Sequence, residues 1–83
     1  MAEIAKMIKA RQEKEQLSTE KYANKIGITR VALWRYYNTD REMNLDVVRT
    51  LGKFYNDQGD QEMINALKEY AVFGGSNRSH SQQ

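Results

Sequence analysis

The chain of 83 residues contains no cysteine and no proline. Without cysteine there is neither a disulfide framework nor a thiolate-ligated metal, and an intracellular, cytoplasmic setting is the expectation. Without proline, and with few glycines ahead of the tail, little interrupts a helix. The apolar residues recur at helical rather than alternating spacing, so an all-α chain is expected. Long hydrophobic runs are missing as well. The opening MAEIAKMIKARQEKEQ is charged throughout and has no signal-peptide core, so no membrane segment is expected. The only histidine, His80, falls in the glycine- and serine-rich stretch GGSNRSHSQQ. Catalysis needs a nucleophile, a base and an electrophilic stabiliser in one pocket. With no cysteine, no usable histidine, no phosphate loop and no metal-ligand spacing, no enzymatic activity, cofactor or metal is expected.

What is present centres on residues 18 to 38, STEKYANKIGITRVALWRYYN, two short helices joined by a turn at Gly27. Ser18 is a natural N-cap, and Leu17 with Tyr22 forms the hydrophobic staple that fixes how the chain enters the helix. Tyr22, Ala23 and Ile26 then share one face, leaving Glu20, Lys21, Asn24 and Lys25 outward. Gly27 can take the left-handed conformation that ends a helix. Ile28 plugs the corner, and Thr29 caps the second helix, residues 29 to 37. There Leu33, Tyr36 and Tyr37 form the inward stripe, while Val31, Trp34, Arg35 and Asn38 point away and Arg30 projects from the first turn. Two guanidinium groups, an amide and apolar contact atoms on one outward face suit base edges and phosphates.

This stretch resembles the helix-turn-helix of the lambda-repressor/Cro-type family, also called XRE-like regulators. That pattern asks for an alanine in the first helix, a glycine four residues later and aliphatic residues on either side of the glycine. Ala23, Ile26, Gly27, Ile28 and Leu33 meet it in register, and the following YNTDREMNLDVVRTLGKFY resembles the family's usual sequel. Two features depart from the pattern: Thr19 stands where many relatives carry a glutamine, and Trp34 is bulky for an outward position. The resemblance implies a five-helix lambda-repressor-like DNA-binding domain over residues 1 to 73, with 74 to 83 a disordered tail. It further implies a double-stranded DNA-binding transcriptional regulator, expected to be a repressor, in a prokaryotic, phage or plasmid setting. Base contacts are expected from Thr29, Arg30, Val31, Trp34 and Arg35, and phosphate contacts from Thr19, Lys21, Asn38 and Arg41. For Trp34 the alternative is half-burial against the next loop; for Asn38 it is termination of its own helix, and for Arg41 simple solvation. The alternative function is an antitoxin or interaction module that binds a toxin protein through the C-terminal helix.

The remaining chain was assigned on periodicity. Residues 2 to 16 form a first helix with Ile4, Met7 and Ile8 on one face and a solvated charged surface opposite. Asn44 caps a fourth helix, 45 to 56, whose stripe is Leu45, Val48, Leu51 and Tyr55. Asp60 caps a fifth, running to about Phe73. Its apolar face, Met63, Ile64, Leu67, Tyr70 and Phe73, is a candidate homodimer interface, since a two-fold contact buries the same patch on each copy. In the family, paired half-sites lie about one helical turn apart, roughly 34 Å. Net charge is only +2, yet it is unevenly spread. Residues 19 to 41 carry Lys21, Lys25, Arg30, Arg35 and Arg41 against Glu20 and Asp40, whereas 57 to 73 are acidic. The basic stretch is therefore expected to meet a polyanion.

Overall fold

The computed structural model describes residues 3 to 74, with side chains through residue 72. All regular structure among them is helical: α1 Glu3–Glu15, α2 Thr19–Ile26, α3 Arg30–Asn38, α4 Leu45–Asp57 and α5 Gln61–Glu69, followed by a π-helical turn, Tyr70–Gly74. None of these helices is long and apolar enough to cross a membrane. The chain divides after Arg41 into two compact units. The expected tail, including Arg78 and His80, lies outside the described residues, as does the side chain of Phe73.

Local chemistry sets the helix boundaries. The side chains of Ser18, Thr29, Asn44 and Asp60 accept from the backbone N–H groups of Lys21, Ala32, Val47 and Met63 at 3.1, 3.0, 2.9 and 3.2 Å. Each satisfies one orphan donor of a first turn, worth about 1 kcal/mol. Gly27 ends α2 at φ 95°, and both its N–H and that of Ile28 donate to the Ala23 carbonyl, at 2.9 and 3.0 Å.

In the first unit the core comes from Ile4, Ala5 and Ile8 of α1, Tyr22, Ala23 and Ile26 of α2, and Leu33, Tyr36 and Tyr37 of α3. The α1 face differs from the expected one, because Met7 is only half-buried and Gln12 is buried. Ile4, Ile8 and Gln12 recur every four residues, so the buried stripe continues through a polar side chain. Gln12 is well satisfied there. Tyr37 donates its hydroxyl to Gln12 Oε1 at 2.8 Å, while Gln12 Nε2 donates to the Leu17 carbonyl at 3.2 Å and to Thr19 Oγ1 at 3.1 Å. One amide thus ties α1 to α3, to the first turn and to the start of α2. Burial, with help from Tyr22 and Glu13, pushes the Tyr37 phenol far above its ordinary range, which keeps it a proton donor. Lys9 Nζ lies 4.6 Å from the centre of the same ring.

Tyr37→Phe is expected to destabilise the protein by about 1–3 kcal/mol, because it strands a buried amide oxygen. Gln12→Met should cost at least as much, since it deprives the Tyr37 hydroxyl, the Leu17 carbonyl and Thr19 Oγ1 of this partner at once. Urea melts followed by circular dichroism would measure both, and a Tyr37→Phe variant as stable as the parent would show that the amide does not need the phenol.

In the second unit Met43, Val48, Leu51, Tyr55, Met63 and Leu67 are buried. The Met43 N–H donates to the Tyr70 hydroxyl at 2.7 Å, fastening the approach to α4 onto the end of α5. Two expectations are corrected here. Leu45, assigned to the buried stripe of α4, is 54% exposed, because it occupies the first helical position, beyond the last core turn. The fifth helix does not stay α-helical to Phe73 but widens into a π turn at Tyr70, where the aromatic and β-branched run YAVF is a weak α-helix former. The side chains of the candidate dimer patch differ in burial. Met63 and Leu67 are buried within the chain, while Ile64 and Tyr70 are half-buried.

Candidate nucleic-acid interface

The sequence of α3 places two chemistries on opposite sides of one short helix. Leu33, Tyr36 and Tyr37 are 0%, 4% and 7% exposed. Facing away from them, Arg30, Val31, Trp34, Arg35 and Asn38 are all exposed, with Val31 and Trp34 at 47% and 52%. Trp34 thus has about half of its surface in water and half against the protein. The pairs 31 and 35, 34 and 38, and 30 and 34 are each four apart, so these side chains form one continuous strip. Neither Arg30 nor Arg35 forms an ion pair among the described residues, so both forks of donors stay open.

The flanks differ from one another. Thr29, exposed, uses its oxygen lone pair to cap α3 and keeps its hydroxyl hydrogen for a partner. Lys21 is exposed on the first turn of α2. Thr19 is half-buried, and its Oγ1 is already an acceptor for Gln12, which leaves its hydrogen to be given outward. Asn38 donates through Nδ2 to the Trp34 carbonyl at 2.8 Å, so the helix-terminating role weighed for it is present. Thr39 does the same for Arg35, its Oγ1 donating to that carbonyl at 2.7 Å, and the Arg41 N–H donates to Thr39 Oγ1 at 3.1 Å. These bonds shape the exit of the chain and leave the Arg41 side chain exposed.

The chain matches no family model, no curated protein and no solved structure.

Two features are not evident from the sequence alone. Gln12 is polar, and its burial depends on a hydrogen bond from the distant Tyr37. Lys25 adds to the basic count of residues 19 to 41, yet it is in an ion pair with Glu15, which lies before that stretch. The exposed cations of the interface with no ion pair among the described residues are therefore Lys21, Arg30, Arg35 and Arg41.

Proposed function

We propose that the chain is a sequence-specific double-stranded DNA-binding transcriptional regulator, acting as a repressor, whose α3 enters the major groove. One observation carries this reading: a helix anchored by three buried side chains exposes two arginines, with no ion pair among the described residues, together with an aliphatic and an indole along its opposite side. The major groove is about 12 Å wide and admits one α-helix. In that setting Arg30 and Arg35 grip guanine edges in paired hydrogen bonds, Val31 and Trp34 meet thymine methyls, and the capping Thr29 donates to an adjacent base. Lys21 and Arg41, with the outward hydrogens of Thr19 and Asn38, hold the sugar-phosphate rails on either side. Occupying promoter DNA in this way blocks transcription.

Arg30→Ala and Arg35→Ala are each expected to weaken binding to a selected site by ~1–3 kcal/mol, roughly 5- to 150-fold, with the circular dichroism spectrum unchanged. Gel shifts on a duplex selected from a random pool, compared with random duplex, would test this. Equal losses on both would reduce the two arginines to phosphate contacts. No shift of any duplex at low salt would end the reading.

A further inference from the structure

A groove of about 360 Å³ runs along the surface formed by α4 and α5. Its α4 side is Leu45, Val48 and Gly52, ending at Asn56; its other side is Ile64, Leu67 and Ala71. Positions 45 to 56 cover three helical turns, about 16 Å at the α-helical rise. Two helix stripes thus border one lengthwise cleft, which is the shape that receives a third helix rather than a compact ligand.

Two further observations bear on what fills it. Gly52 sits inside α4, where glycine weakens a helix relative to alanine. No backbone requirement accounts for it, because its conformation is helical, and a Cβ built there meets nothing within 4 Å. Its effect is to deepen the floor of the groove. The charges are also segregated. Residues 42 to 74 hold six acids and only three cations. Two of those cations, Arg49 and Lys68, line the groove and none of the acids does. Neither cation forms an ion pair among the described residues. An apolar floor bordered by positive charge, on an otherwise acidic segment, selects a partner with the opposite arrangement.

We propose that this groove docks an amphipathic helix of a partner protein, one whose apolar stripe is flanked by carboxylates. A large side chain of the partner lies over Gly52, and its acids meet Arg49 and Lys68. The groove is remote in sequence from α3, so this inference does not depend on DNA binding.

The test uses the full chain and a fluorescein-labelled synthetic helical peptide of about 18 residues, long enough to span the groove. It carries leucines at helical spacing with glutamates on both flanks, and a matched peptide carries lysines instead. Anisotropy should show saturable binding of the glutamate peptide and roughly tenfold weaker binding of the lysine peptide. Gly52→Leu should fill the floor and weaken the glutamate peptide about tenfold or more, with the thermal midpoint not lowered and duplex binding intact. The charge reversal Arg49→Glu with Lys68→Glu should invert the preference between peptides. Absence of saturable binding, equal binding of both peptides, or indifference to Gly52→Leu would each overturn the proposal. So would a dimer in sedimentation that Gly52→Leu dissociates, because the groove would then belong to a second copy of this chain.

Discussion

Between roughly 50 and 200 mM salt, binding of random duplex DNA is expected to weaken about 150-fold for each bound copy, while binding of a selected site weakens only about 12-fold. Both figures follow from counting phosphates. A cation that neutralises a phosphate releases condensed counterions and adds about −0.9 to the slope of log affinity against log salt. On random DNA all four exposed cations of the interface, Lys21, Arg30, Arg35 and Arg41, have only phosphates to grip, and the slope is about −3.6. On a selected site Arg30 and Arg35 turn to base edges, leaving Lys21 and Arg41 on the rails and a slope near −1.8. The difference between the two titrations therefore reports the two arginines, and Lys21→Gln should lower both slopes by about 0.9. Fluorescence titration of a labelled duplex at several salt concentrations would measure them. Identical slopes would remove the arginines from base reading, and two flat titrations would take α3 off the polyanion altogether.

The same slope shows where the sequence was sufficient and where it was not. Counting every cation from 19 to 41 would give five, but Lys25 is held by Glu15, ten residues earlier. Nothing in the spacing of a window that starts at Thr19 could reveal that partner. Capping was legible because it is local chemistry: Ser18, Thr29, Asn44 and Asp60 each satisfy an N–H three residues on. The two faces of α3 were legible because 3.6-residue periodicity alone separates Leu33, Tyr36 and Tyr37 from Val31, Trp34 and Arg35. Gln12 was not, since its burial depends on Tyr37, 25 residues away, supplying the hydrogen bond. The α5 stripe shows the limit from the other side. Periodicity identified Met63 and Leu67 as needing cover, but it cannot say whether the cover is the same chain or another, and here it is the same chain. The groove along α4 and α5 was invisible for a related reason: Gly52 reads as a mere weakness in a helix until the space around it is known.

Leu33→Ala is expected to destabilise the protein by about 2–5 kcal/mol. Leu33 is 0% exposed, so the lost methyl groups leave a cavity in addition to their transfer free energy. Native domains are stable by only about 5–15 kcal/mol, so this is a large share of the whole. Trp34→Ala, one residue along, removes a bulkier side chain yet should cost less, because half of it already faces water and its loss leaves no enclosed cavity. The two substitutions should exchange rank when duplex affinity is measured. At a temperature where the Leu33 variant remains folded, it should bind nearly as the parent does, whereas the Trp34 variant should bind a selected site more weakly with the smaller shift in its melting curve. Urea denaturation paired with anisotropy on the same samples separates the two effects. If the Leu33 variant were as stable as the parent and the Trp34 variant unfolded, the helix would be rotated by half a turn from the orientation described. The arginine strip would then lie against the protein instead of the duplex.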